Sequence, residues 1–158
     1  MKNDKLVPFI QVCSLEAARE ADVEAYDGII TIEDSDITNP FRVEGGSPPQ
    51  RVLTFDDITG PIDNWVAPEE FHVRSALSFA RQRAQPSLMI HCHAGMSRSP
   101  AIALAIFADW LGADREYEAV KELMKEVPLC TPNSLVVEIA DRLLGRSNRL
   151  VGALREAL

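Results

Sequence analysis

Cysteine is scarce in this chain, with three residues in 158, and the number is odd. Cys13, Cys92 and Cys130 therefore do not suggest a disulfide framework, and a reducing compartment is expected. Basic charge is in deficit: 16 lysines and arginines face 24 acidic side chains, a net charge of −8. That balance argues against nucleic-acid and anionic-membrane partners, which need a basic surface, but leaves room for a small local anion site. No run approaches the ~20 apolar residues of a transmembrane helix. The opening MKNDKLVPFIQVC has a short apolar run broken by Pro8 and Gln11, so no signal peptide is expected and the cytoplasm is the expected location. Internal repeats and low-complexity tracts are lacking too.

What is present is ordinary globular composition, 46% apolar and 25% charged. The length suggests one domain over 1–158, large enough to bury a core. Strand signals fall at 6–13 (LVPFIQVC), 28–32 (GIITI), 51–55 (RVLTF) and 87–92 (SLMIHC). Helices are expected after a Ser14 cap, from Pro68 at a first helical position to about Ala84, and from Arg98 to Leu111, apolar nearly all round. Phe71, Val73, Leu77 and Phe79 form the apolar positions of the second of these. Further helices are read from an Asp114 cap to about Glu126 with Tyr117 on the apolar face, from Asn133 to Leu144, and over about 148–157. The turn-rich stretch 33–50 reads as a surface loop. Strands separated by helices predict an α/β fold: a central, mainly parallel sheet of four or five strands with helices on both faces.

The informative segment is MIHCHAGMSRSPAIALA, 89–105. A buried strand ends at a cysteine, and six residues after it comes Arg98, opening an apolar helix. Ligands of open α/β sheets bind at the carboxyl ends of strands. A loop running from a strand into a helix N-terminus can turn its backbone N–H groups inward and hold an anion. Gly95 permits the sharp bend, and Pro100 needs no N–H in the first helical turn. At the base of such a cradle Cys92 would be stabilised as a thiolate. Arg98 would clamp two phosphate oxygens with its planar fork. The thiolate would then be a nucleophile for phosphoryl transfer, with no metal or cofactor needed for charge stabilisation. The competing reading is a buried structural cysteine, common at strand ends. The joint presence of His91, Gly95, Ser97 and Ser99 favours the phosphate loop.

HCHAGMSRS resembles the H-C-x5-R-S signature of the cysteine-dependent protein tyrosine phosphatases, and its A-G-x-S-R-S form is similar to their dual-specificity branch. The resemblance implies a phosphotyrosine-phosphatase-like fold, Cys92 as nucleophile and Arg98 as phosphate clamp. It implies that His91 braces the loop and Ser99 bonds the sulfur and eases its departure. His93, Ala94, Gly95, Met96 and Ser97 would bind substrate through backbone donors, together with Arg98.

A leaving oxygen needs a proton, hence a general acid. The resemblance implies an acid just after the preceding strand, where RVLTFDDITG stands. Asp57 is favoured, Asp56 is the runner-up and Asp63 the third choice; without the downstream loop the pair would read as a turn. Asn133 reads either as a helix cap or, from the resemblance, as a support for the phosphate loop. HCH does not suggest a metal site, since adjacent ligands diverge and no second cluster is evident. Cys13 or Cys130 could pair with Cys92 under oxidation, but burial is the simpler reading. The same holds for Trp65 and Phe41 as residues of a pocket mouth against core or surface.

No Trp-Pro-Asp acid loop and no lysine within HAGMS is present, which points away from classical receptor-type enzymes and from phosphoinositides. The expected substrate is a phosphorylated protein or small phosphomonoester. The expected function is metal-free hydrolysis through phosphocysteine; the alternative is a weakly active phosphate-binding interaction domain. Rhodanese-like sulfur transfer is a third option, disfavoured by His91 and the Arg98-Ser99 pair.

Overall fold

The computed structural model describes residues 7–82 and 86–158. Its sheet has four strands, β1 (Phe9–Cys13), β2 (Gly28–Glu33), β3 (Gln50–Thr54) and β4 (Ser87–His91). They lie in the order β1-β4-β2-β3 and every pairing is parallel. All carboxyl ends therefore reach one edge. Cys13 and Thr31 both pair with His91 in register, so the last residues of β1 and β4 stand side by side while β2 runs two residues further.

The helices are α1 (Leu15–Glu20), α2 (Glu70–Arg81), α3 (Arg98–Leu111), α4 (Glu116–Glu126), α5 (Ser134–Leu143) and α6 (Arg149–Ala157). Strand alternation divides the core. Ile30, Ile32, Leu88 and Ile90 pack with α2 to α6 in one large cluster. Ile29 and Met89, on the opposite face, meet only Ala18 of α1 and a fringe that includes Phe41 and Val43. Helices thus cover both faces, as expected, but very unequally. α3 is the central helix: all its residues except Asp109 and Trp110 are buried, which its all-round apolar sequence requires.

Several boundaries differ from expectation for local reasons. Pro68 precedes the helix it was expected to open. Glu69 is the N-cap, and its N–H donates to His72 Nδ1 at 3.0 Å. Phe71 is exposed and stacks on His72 rather than entering the core. α2 ends at Arg81, so the expected reach to Ala84 runs outside the described residues. Asp114 has φ 69°, a left-handed turn, so Arg115 is the N-cap of α4. Tyr117 faces solvent and donates to Glu156. β1 begins at Phe9; Leu6 lies outside the described residues. The 33–50 segment holds the end of β2, a short 3-10 turn at Glu44–Gly46 and the start of β3.

α5 is pinned at both ends. Its Asn133 N-cap donates its backbone N–H to Ser97 O at 3.0 Å. Just beyond its C-terminus, buried Arg146 donates to Ala108 O at 2.7 Å and Gly112 O at 3.0 Å, the end of α3. Buried Asp141 then accepts from the N–H groups of Asn148, Leu150 and Val151, which starts α6. Among the described residues no helix is long and apolar enough to cross a membrane.

Candidate active site

β4 stops at His91, and residues 92–97 form a loop leading into α3. Gly95 sits where the loop grazes the end of β1. Its φ is +75°, and a Cβ there would lie 2.7 Å from the carbonyl carbon of Cys13. The loop's carbonyls are tied outward: His93 O to Leu15 N–H, Met96 O to Thr131 N–H and Ser97 O to Asn133 N–H, each within 2.9–3.0 Å. In a trans peptide the carbonyl and the following N–H point oppositely. The N–H groups of Ala94, Ser97 and Arg98 therefore point away from those anchors. Cys92 O faces the His91 ring, which turns the His93 N–H the other way as well. The Gly95 N–H aims at Cys92 Sγ, 3.3 Å away. Only the Met96 N–H has no such tie among the described residues.

Cys92 is buried, and its sulfur also lies 3.1 Å from Ser99 Oγ. His91 is fixed by a chain of hydrogen bonds. The Val43 N–H donates to Gln50 Oε1 at 2.7 Å, which orients the amide so that its Nε2 donates to Thr31 Oγ1 at 2.8 Å. The hydroxyl is left to donate to His91 Nε2 at 2.9 Å, so Nδ1 carries the proton and donates to Cys92 O at 3.3 Å. Burial pushes the imidazole down to about 4, so the ring is neutral and braces the loop without adding charge.

Arg98 is 5% exposed. Its Nη1 donates to Phe55 O at 2.9 Å and pairs with Asp34 Oδ1 at 2.7 Å. Its Nε is buried with no hydrogen-bond partner among the described residues. An orphaned guanidinium donor at the base of such a loop is what an oxyanion would satisfy. Asp34 was missed in the sequence. The signal was available, because it directly follows β2 as Cys92 follows β4, at the edge where ligands of such sheets bind.

The two adjacent aspartates differ sharply. Asp56 is buried, and its carboxylate accepts from Ser35 N–H, Ser35 Oγ and Val66 N–H at 2.7–2.9 Å. Although burial opposes it, these bonds and nearby Arg98 hold its carboxyl below the usual range. Asp57 is exposed, and its Oδ1 accepts from Ser97 Oγ at 2.8 Å and Asn133 Nδ2 at 2.9 Å. Its Oδ2 has no partner among the described residues. Asn133 is both things the sequence left open. Its Oδ1 caps α5 through the Val136 N–H, while its Nδ2 holds Asp57 and Ile58 O.

No protein-family model and no curated protein sequence matches the chain. Solved structures do. Tk-PTP in its active form is 21% identical over 87% of this chain and 90% of its own, with a TM-score of 0.59. A mouse putative dual specificity phosphatase, complexed with zinc tungstate, is 15% identical over 97% of this chain and 96% of its own, with a TM-score of 0.62. The human tyrosine phosphatase-like serine/threonine/tyrosine-interacting protein is 19% identical over 73% and 74%, with a TM-score of 0.57. The chain has the fold of the protein tyrosine and dual-specificity phosphatases.

Within this phosphatase fold, the remaining sequence candidates fall into place unevenly. Asp63 is exposed on the same loop as Asp57 but shares no bond with the cradle among the described residues. All three cysteines are free. Burial, with Cys92 and Glu126 nearby, pushes the half-buried Cys13 thiol up to about 11, and burial also raises Cys130. Both are thereby poor thiolate formers. Phe41 presses edge-on against the His91 ring, centroids 5.3 Å apart. Trp65 is exposed, one of the two simpler expectations, and also lines a cleft of about 370 Å³ with Asp34, Asp36, Asp57, Asn64 and Arg98.

Proposed function

We propose that this chain hydrolyses phosphomonoesters through a phosphocysteine, in the manner of a tyrosine or dual-specificity protein phosphatase. What carries the reading is the convergence on one loop of a sulfur, an unpartnered guanidinium nitrogen and a second carboxylate. Cys92 Sγ receives the Gly95 N–H, Arg98 keeps Nε unpaired, and Asp57 is bonded to Ser97.

The steps follow from that arrangement. The phosphate sits among the loop's N–H groups with Arg98 on its oxygens. The Cys92 thiolate attacks phosphorus as the P–O bond breaks, and Asp57 Oδ2 gives its proton to the departing oxygen. Water then attacks the phosphocysteine, Asp57 takes back a proton, and sulfur leaves as a thiolate accepting the Ser99 hydroxyl bond. Inorganic phosphate is released. The charge developed is balanced by fixed donors, so the chemistry asks for no metal. Tungstate, held by the mouse neighbour, is a tetrahedral oxyanion like phosphate, which supports an oxyanion as the ligand.

The deciding experiment is hydrolysis of p-nitrophenyl phosphate in EDTA by the wild type and Cys92→Ser. We expect turnover by the wild type and its loss in the folded variant. A folded, reduced wild type that binds phosphopeptide but does not turn over would overturn the reading in favour of a phosphate-binding interaction domain.

A further inference from the structure

We propose that the cleft beside the cradle selects phosphopeptides carrying an arginine next to the phosphorylated residue, with Asp36 and Trp65 receiving its guanidinium. This rests on the phosphatase reading and names its substrate class. The cleft of about 370 Å³ shares Arg98 and Asp57 with the candidate site, which places it within reach of a residue flanking a bound phosphate.

Its charge is lopsided. Four aspartates, 34, 36, 56 and 57, line it against one guanidinium. Three of them are tied: Asp34 to Arg98, Asp56 to Ser35 and Val66, Asp57 to Ser97 and Asn133. Asp36 is exposed and has no partner among the described residues. Arg98, moreover, enters catalysis with its charge already balanced by Asp34. A phosphate dianion with acidic neighbours would meet a net negative cleft, whereas a cationic neighbour would find a free carboxylate.

Arg98, whose buried Nε has no partner among the described residues, also lines this cleft and gives a phosphate its anchor there. Trp65 decides which cation fits. It is 56% exposed and lines the cleft, with no aromatic or cationic partner among the described residues. An aromatic face beside a carboxylate suits a planar guanidinium, which stacks and forms a fork of hydrogen bonds, better than a compact ammonium.

The test uses three phosphotyrosine peptides that differ only in having Arg, Lys or Glu beside the phosphotyrosine, with p-nitrophenyl phosphate run alongside. We expect kcat/KM for the Arg peptide to exceed that for the Glu peptide by about ten-fold at low salt, from roughly a few-fold for each favourable or unfavourable charge contact. Salt should shrink the ratio. Asp36→Lys should bring it to one or below, and Trp65→Ala should erase the advantage of Arg over Lys. Equal rates for the Arg and Glu peptides, or a ratio unmoved by Asp36→Lys, would overturn the proposal while p-nitrophenyl phosphate turnover leaves the phosphatase reading standing. Dissociation constants of the same peptides on Cys92→Ser protein decide the matter without turnover: equal values for Arg and Glu peptides sink the selectivity even if no peptide is hydrolysed.

Discussion

The loops after β4 and β3 meet at one edge of the sheet but are built on different principles. The cradle at 92–98 is a local object. Its sulfur, bending glycine, guanidinium and serine lie within eight consecutive residues, and its sulfur contacts span three and seven positions. The turn after β3 is a tertiary object. Asp56 is held by Ser35, 21 residues earlier, and by Val66, ten later, while Asp57 is held by Asn133, 76 residues away. The cradle is written as a motif. The environment of Asp57 exists only once distant segments have assembled.

The largest effect should come from the cradle itself. Arg98→Lys keeps a charge but removes the fork, and we expect kcat/KM for p-nitrophenyl phosphate to fall at least about 10²-fold. A fall of less than about three-fold would show that the guanidinium does not hold the phosphate.

The adjacent aspartates sharpen the contrast. Asp57→Asn should cut kcat for alkyl and phenyl leaving groups by about 10²-fold and remove the high-pH fall of the rate profile, with little change in melting temperature. Asp56→Asn should do the reverse. It sets an amide N–H against the Ser35 and Val66 donors, costing about 2 kcal/mol and roughly 5 °C in Tm, while kcat of the folded protein changes less than ten-fold. Exchanged phenotypes would make Asp56 the acid.

Asn133→Ala tests the tertiary link with a smaller effect. Loss of the cap should cost about 1 kcal/mol, and Asp57 loses one of its two partners, so kcat should drop several-fold. Asn133→Ser, which retains a capping oxygen, should recover the stability but not the rate. Recovery of both would confine Asn133 to capping.

Acid stability probes the brace beneath the cradle. The His91 imidazole is held at about 4 in the folded chain against an ordinary 6.5. Between those values the unfolded chain binds a proton that the folded one refuses, so stability should decline as pH falls from 6.5 to 4, by up to about 3 kcal/mol from this group. Burial pushes His72 down too, so it adds to the decline that begins below its ordinary 6.5. Asp56 adds a loss at lower pH, since its stabilisation is present above the ordinary carboxylate range and disappears as it protonates. A Tm that stays flat from pH 6.5 to 4 would contradict a neutral, buried His91.

The same contrast explains what was legible in the sequence. β2, β4 and α3 announced themselves because burial on every side leaves an uninterrupted apolar run. The bond of Ser99 to the Cys92 sulfur was implied by the resemblance of HCHAGMSRS to the phosphatase signature, whereas the aim of the Gly95 N–H at that sulfur emerges only in the structure. Asp57 was separable from Asp56 only weakly, because nothing in FDD reveals that Ser35 and Val66 close around the first carboxylate and Asn133 reaches the second. Asp34 went unseen although its place directly after β2 marked it, because nothing local ties it to its distant partner Arg98. Asp114 misled because an aspartate suits both a cap and a left-handed turn, and which it adopts depends on the chain direction leaving Gly112. Tyr117 and Phe71 sat at helical spacing but outside the stripe that enters the core.

The double pinning of α5 turns that helix into a gauge. One end takes its position from Ser97 at the mouth of the cradle, the other from the carbonyls of Ala108 and Gly112 at the far end of α3. The number of residues between the pins therefore sets the angle at which Asn133 presents its amide to Asp57. Removing one residue from 134–143 would rotate Asn133 by about 100° relative to Arg146. Substitutions along the exposed side of this helix leave the gauge intact, whereas any change in its length misreads it. Asp57, which no bond among the described residues joins to the far end of the molecule, nonetheless inherits its aim from there.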